Sequence, residues 1–186
     1  SDNDVYVWIA TRKGVNLYNK QTCQVIPFPD ERLRNRVINY IEIDKNEISW
    51  IASGGKIYKC DSTAHVIREY ELSSESGKSP TVNSIYVDSG GSVWVLSYAG
   101  LFKYDLHTDS FVGYPQLEKG NSFFTMFQDS SGNYWIGTWG EGLWQFFPDK
   151  AGEECYKRHH VLNPRSGETE PIFFSMTQDD TFGYLW

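Results

Sequence analysis

Side chains suited to ligand binding fall at positions that interrupt an otherwise regular sequence. Tyr98 and Trp139 could lay a flat ring against a C–H-rich surface such as a sugar. Arginine presents several donors in a planar fork and suits hydroxyl, carboxylate or sulfate groups. Each residue alone is also compatible with a simple exposed or loop-packing role. The polar candidates are Arg12, Arg34, Arg36, Glu141, His160 and Arg165.

Patterns for catalysis and metal binding are absent from the sequence. There is no GxSxG, no HExxH and no glycine-rich phosphate loop opening a helix. The acidic turns at 44–47 and 129–133 contain only some of the oxygen ligands that a calcium-binding loop needs. We therefore predict no catalytic residues, no bound metal and no cofactor.

Composition and charge exclude some partners. The net charge is −7, which argues against nucleic acid, because binding to phosphates needs a basic patch. No run of 18 apolar residues is present, so we expect no direct membrane contact by this chain. The three cysteines have no CxxC spacing, and we expect three separate thiols.

A repeat of about 42 residues organises the chain. Tryptophans recur as Trp8, Trp50, Trp94, Trp135 and Trp186, at steps of 42, 44, 41 and 51 residues. An aspartate precedes each by six residues, or by seven in the last copy. An aliphatic–aromatic step follows each of the first four, as in Leu101-Phe102. Such self-similarity indicates a repeat architecture.

Each repeat predicts four short antiparallel strands. In the fourth copy, apolar and polar residues alternate with period two at 123–128, which predicts a strand. The sequence Asp-Ser-Ser-Gly-Asn at 129–133 is typical of a turn. Two further strands are predicted at 134–138 and 143–147. No convincing helix is visible. Four strands in about 42 residues form one blade of a β-propeller. The expected repeats span approximately residues 2–36, 37–81, 82–121 and 122–171, with a partial copy at 172–186.

The ends of the chain are out of phase with the repeat. The first copy lacks its opening strand, and the last copy holds an opening strand at 172–178 and stops at its tryptophan. Either that strand completes the first blade and closes a small ring, or the chain is part of a longer array. We expect the second, with about four blades cut from a seven-bladed propeller.

The repeated residues are predicted to be structural. One large apolar side chain per blade would pack the layer between blades, and the aspartate would hold the first turn. This set comprises Trp8, Trp50, Trp94, Trp135, Trp186, Asp44, Asp88 and Asp129. Function is instead expected in the loops that enter the first strand or join the second and third strands, because these open on one face around the central channel. The binding candidates fall in these loops, as does the long insert at 159–170.

The runs at 129–144 and 88–95 resemble the two-component-regulator propeller repeat. The resemblance covers the whole chain but is weaker in the second copy, where Ser49-Trp50-Ile51-Ala52 replaces the usual hydrophobic-Trp-Ile-Gly. The family forms the periplasmic sensor region of hybrid two-component histidine kinases, especially in Bacteroides relatives. Its members are typically followed by an immunoglobulin-like domain, a membrane span, and kinase and receiver modules.

The resemblance implies a sensor rather than an enzyme. It implies a small carbohydrate ligand such as an oligosaccharide from glycan breakdown, transcriptional control of polysaccharide utilisation, and a parent protein that spans the inner membrane and could form a homodimer. Two alternatives stay open: a protein-interaction propeller, and a propeller enzyme similar to streptogramin lyase, which would need a histidine and acidic metal ligands at the channel.

Overall fold

The computed structural model describes Asp2 and residues 4–73, 80–114, 117, 122–163 and 165–179, and it confirms an all-β propeller segment of four sheets. Blade 1 contains β1 (Tyr6–Thr11), β2 (Gly14–Asn19) and β3 (Gln24–Pro27). Blade 2 contains β4 (Tyr40–Ile43), β5 (Ser49–Ser53), β6 (Lys56–Cys60) and β7 (Val66–Glu71). Blade 3 contains β8 (Val82–Val87), β9 (Val93–Ser97), β10 (Gly100–Asp105) and β11 (Ser110–Gly113). Blade 4 contains β12 (Phe123–Gln128), β13 (Tyr134–Thr138), β14 (Leu143–Phe146) and β15 (Tyr156–His159).

Within each blade, every strand pairs antiparallel with the strand that follows it in the sequence, so each blade is a simple meander. The inner strands β4, β8 and β12 lie side by side, and this arrangement sets the blades around a common axis. Short 3-10 helices cover Glu31–Leu33 and Gly152–Cys155. In the described part of the chain, no helix is long and apolar enough to cross a membrane.

The repeated aspartate closes the first turn of a blade and also holds its tryptophan. Asp88 accepts a hydrogen bond from the Ser92 amide at 2.8 Å and another from the Trp94 indole at 2.9 Å. Asp44 and Asp129 make the same pair of contacts in their own blades. The first copy differs, because Asp2 pairs with Lys20 and the buried Trp8 indole nitrogen has no hydrogen-bond partner among the described residues.

The hydrophobic core consists of layers between adjacent blades. Trp94, fully buried between blades 3 and 4, has the rings of Tyr114, Tyr134 and Phe146 within 5.8 Å of its own. Trp50 occupies the equivalent place between blades 2 and 3, and Trp8 lies in the layer between blades 1 and 2. Since the blades share these layers, loss of one tryptophan would loosen two blades at once.

Polar side chains join adjacent blades at the edges of these layers. The Tyr134 hydroxyl donates to Asp88 of the preceding blade at 2.7 Å. Asp109 of blade 3 accepts from Tyr70 of blade 2 and from Tyr104, each at 2.6 Å. These bonds fix the angle between blades as well as their contact.

The prediction of a strand at 172–178 is wrong, because the described residues of this segment form no strand. Only a bridge between Ile172 and Trp139 and an isolated bridge position at Gln178 are seen. The inner strand of a blade forms its backbone hydrogen bonds with the second strand of the same blade. Residues 180–186, including Trp186, lie outside the described part of the chain. The inner strand of blade 2 begins at Tyr40, and just before it the Val37 carbonyl accepts from the Ser53 hydroxyl and the Asn39 amide donates to Ala52.

Residues 172–179 nevertheless lie where a next inner strand would begin. The Phe173 amide donates to Thr138 at 3.0 Å, as the Ile38 amide at the entry to blade 2 donates to Thr11. Gln178 accepts from the Ser130 amide at 2.7 Å, as Gln128 accepts from that of Ser89. The segment is therefore docked on blade 4, at the position that the inner strand of the following blade would take.

Candidate functional site

The loops that were expected to form one face do meet at one end of the blades. The Asn35 amide, on the way into blade 2, donates to Lys13 in the β1–β2 turn at 3.0 Å. At the next junction Val82 donates to Gly54, and at blade 4 Gly140 donates to Pro171, both at 2.9 Å. These bonds link each strand-joining turn to the segment that enters the next blade, so the two kinds of loop share a face.

Four aromatic rings form a continuous surface on this face, which we call the aromatic ledge. Phe124 lies at its centre, with ring centroids 5.5 Å from Trp139 and 6.1 Å from Tyr98. Phe174 completes it, 5.2 Å from Trp139 and 5.9 Å from Phe124. Tyr98, Trp139 and Phe174 are 54%, 50% and 63% exposed, so the ledge is open to solvent although its rings contact one another.

Four separate elements position the ledge: β12, the loops after β9 and β13, and the segment 172–179. The β12–β13 ladder shifts register between Phe123 and Thr125, so Phe124 has no partner in it: Phe123 is buried in the core and Phe124 is left on the ledge. Tyr98 and Trp139 follow β9 and β13 at equivalent positions, and their amides donate to Thr81 and Ser122. Sequence reasoning identified Tyr98 and Trp139 but missed Phe124 and Phe174. The paired phenylalanines at 123–124 and 173–174 were the available signal.

A polar cleft of about 310 Å³ adjoins the ledge through Gly140. In it Arg158 donates to the Glu141 carboxylate at 2.9 Å, and its guanidinium lies over the Trp144 ring, 4.7 Å from the centroid. His160 is exposed at the edge of the cleft. The lining residues are Gly140, Glu141, Gly142, Arg158, His159, His160, Thr169 and Pro171.

His159 is the histidine held inside the cleft wall. Burial lowers its pKa, and the nearby positive charge of Lys157 lowers it further, so the ring is neutral at pH 7. Its Nε2 is buried and has no hydrogen-bond partner among the described residues, while its ring lies 5.2 Å from that of Trp135. His160 and His159 therefore differ in environment despite being adjacent.

The long insert forms a small flap over the cleft. Leu162 bridges Thr169, and the Glu170 amide donates to Val161 at 2.7 Å. Arg165 is exposed at the tip, where its amide donates to the Asn163 side chain at 2.9 Å. The flap brings Thr169 to the cleft, whereas Arg165 does not line it.

Three of the four arginine candidates, Arg12, Arg34 and Arg36, lie on blades 1 and 2, away from the ledge on blades 3 and 4. Arg12 is exposed in the turn after β1. The Arg34 guanidinium donates to the carbonyls of Phe28 and Pro29 at 2.7 and 2.8 Å, and so holds its own loop. Arg36 donates to the Tyr58 hydroxyl, with its guanidinium 5.7 Å from that ring. The structure thus places Tyr98, Trp139, Glu141 and His160 at one end of blades 3 and 4, but it does not bring any of the four arginine candidates into this group.

No cluster of three or more His, Cys, Asp or Glu side chains with metal-binding geometry occurs within the described ranges. None of the three cysteines forms a disulfide; Cys23 is exposed, and Cys60 and Cys155 are buried.

Comparisons with known proteins support the repeat and the fold. Residues 118–140 match the model of the family described as two component regulator propeller. No curated protein matches the chain. An extracellular domain assigned to the hybrid two-component system BT4673 of B. thetaiotaomicron superposes with a TM-score of 0.80 at 19% identity, over 98% of this chain and 24% of that one.

Two further solved structures widen the comparison. The corresponding domain of the system BT3049, also from B. thetaiotaomicron, gives a TM-score of 0.72 at 20% identity, over 100% of this chain and 25% of that one. Virginiamycin B lyase from Staphylococcus aureus gives 0.68 at 12% identity, over 89% of this chain and 55% of the enzyme. The chain thus spans about a quarter of the length of the two extracellular domains, and identities this low establish the fold alone.

Proposed function

The chain carries a two-component regulator propeller repeat, and from that premise we propose that it is part of the extracytoplasmic sensor region of a hybrid histidine kinase. The extracellular domains with which it superposes belong to such systems. The observation that carries ligand sensing is the aromatic ledge, a group of solvent-open rings at the end of the propeller where its loops converge.

The proposed ligand is an oligosaccharide or another glycan breakdown product. Ligand sites combine apolar or aromatic surface with a few polar groups that fix orientation. Here the ledge supplies the first, and the Glu141–Arg158 pair in the polar cleft supplies the second. In this proposal the chain resides in the periplasm as part of a parent protein that spans the inner membrane. The parent forms a homodimer and controls genes for polysaccharide use.

Signalling in this proposal needs no turnover by the chain. A ligand changes a conformational equilibrium only if it binds one state more tightly than the other. The ledge spans the junction between blades 3 and 4 and includes Phe174 from the segment docked on blade 4. A ligand lying across these rings therefore contacts several elements and favours the arrangement in which they are together.

A thermal-shift screen against neutral and acidic glycan fragments, followed by analysis of the recovered glycan, tests the proposal. A ligand at 100 times its Kd stabilises the folded state by about 2.7 kcal/mol, which is easily measured. The proposal predicts a shift with one class of glycan that is recovered intact. Cleavage of the glycan would contradict it in favour of a lyase-like enzyme, and no shift with any glycan would favour a protein-interaction propeller.

A further inference from the structure

Resting on the proposed function, we infer that the ledge binds a neutral oligosaccharide, and that Trp139 and Phe174 are its main contact residues. The argument depends on the shape of the ledge, on its exposed area and on the charges that adjoin it.

The rings form a surface and not a cage. Neighbouring centroids are 5.2 to 6.1 Å apart, which means that the rings already pack against each other and leave no enclosed space for a cationic group. Most ring pairs meet edge to face, with interplanar angles of 89° for Tyr98–Phe124 and 73° for Trp139–Phe174. In an edge-to-face pair the edge of one ring covers part of the other ring's face, so the surface open to a ligand is the exposed part of Tyr98, Trp139 and Phe174, which are 54%, 50% and 63% exposed. This surface suits a ligand with flat C–H-rich faces, and three exposed rings suit a short chain better than one sugar.

The exposed area fits a small ligand better than a protein. Three aromatic side chains of about 150–250 Å² each, roughly half exposed, offer on the order of 300 Å². A stable protein interface needs about 800 Å² on each partner. The ledge is less than half of that, whereas a short oligosaccharide would cover it.

The charges beside the ledge favour a neutral ligand. Two carboxylates lie close by: Glu141, two residues after Trp139, and Glu170, whose Oε1 is 3.4 Å from the Ile172 amide. One adjoining guanidinium, that of Arg158, is already bound to Glu141. An anionic group would have to displace Glu141 from Arg158 and would meet a second carboxylate. Sugar hydroxyls, in contrast, can donate to the unused lone pairs of Glu141.

The arginines expected to bind acidic groups do not alter this balance. The Arg34 and Arg36 guanidiniums are engaged by their own loop and by Tyr58, and blade 3 separates them from blade 4. Arg12 lies in the turn after β1, so it is also separated from blade 4. Arg165 is exposed at the tip of the flap and does not line the cleft beside the ledge.

The test is calorimetric titration of the full chain with neutral tetrasaccharides of glucose, xylose, mannose and galactose, and with oligogalacturonate and sulfated galactan of equal length. We expect binding of a neutral probe that is unchanged between 50 and 500 mM salt, because no ion pair is formed. Trp139→Ala and Phe174→Ala should each weaken this binding roughly tenfold or more, as expected for aromatic residues that the bound ligand buries. Trp139→Tyr should restore part of the affinity.

Leu106→Ala is the matched control, since Leu106 is 75% exposed on the outer side of blade 3 and should leave affinity unchanged. Circular dichroism of each variant separates lost binding from lost folding. Binding restricted to the anionic probes, weakened by salt and by Arg36→Ala, would overturn this inference while leaving the sensor proposal intact. Binding of no glycan at all would overturn both.

Discussion

Replacing Asp88 with alanine should destabilise the propeller far more than the same change at Asp129. Asp88 is 3% exposed and accepts hydrogen bonds from the Ser92 amide, the buried Trp94 indole and the Tyr134 hydroxyl of the next blade. Alanine would leave these three donors without an acceptor. Each orphaned buried donor costs about 1–3 kcal/mol, and such costs are not fully additive, so we expect a loss of about 3–5 kcal/mol.

Asp129 provides a control at the same position in the repeat. It accepts from the Trp135 indole and, within its turn, from the amides of Ser131 and Asn133 and from the Asn133 side chain. Trp135 and Asn133 are only half-buried, Ser131 is exposed, and no tyrosine of another blade is seen to donate to Asp129 in the described structure. Water can therefore replace part of what Asp129→Ala removes, and the expected loss is about 1–2 kcal/mol.

Thermal unfolding followed by circular dichroism measures this difference. At this chain length 1 kcal/mol corresponds to roughly 2–4 °C in Tm, so Asp88→Ala should unfold at least about 6 °C below the wild type, with Asp129→Ala in between. Equal losses for the two variants would refute the assignment of the extra stability to burial and to the Tyr134 bond. An unchanged Tm for Asp88→Ala would refute the role of the aspartate itself.

Two further predictions concern ionisation and thiol reactivity. The hydrogen bonds from Tyr104 and Tyr70 lower the pKa of Asp109, so its contribution to stability is present above about pH 4 and is lost as the pH falls through the lowered value. Urea unfolding at pH 6 and pH 3 should therefore show that acidification lowers the free energy of unfolding less in Asp109→Asn than in the wild type. An equal decrease in the two proteins would contradict this. Exposed Cys23 should react with a maleimide in the folded protein while the two buried cysteines react only in denaturant, as mass spectrometry would show; labelling of all three in buffer would contradict the packing.

Local chemistry explains why most strands could be predicted. Residues 123–128 and 134–138 form strands with the expected bounds, because their patterns are bounded by aspartate and glycine turns. The strand at 172–178 was not obtained, since its pairing depends on residues of the same blade and not on its own pattern. The hydrogen bonds from the indoles of Trp50, Trp94 and Trp135 to their aspartates could not be predicted from the spacing of six residues.

The candidate site was only partly predictable for a similar reason. The sequence placed Tyr98 and Trp139 in equivalent loops, but Phe124 joins them because the register shift between Phe123 and Thr125 leaves its ring outside the core. Arg34 and Arg36 have suitable chemistry, yet the carbonyl groups and the hydroxyl that engage them come from positions 5 to 22 residues away. Such competition for a donor depends on tertiary structure and is not visible in residue type or spacing.

Hydrogen–deuterium exchange with and without a glycan that stabilises the protein tests the central claim most directly. If the ligand lies on the aromatic ledge, amides of Tyr98, Phe124, Trp139 and Phe174 and their neighbours should become protected, and the turn at Arg12 and the loop at 34–36 should exchange as before. Protection confined to blades 1 and 2, with none at the ledge, would contradict the account.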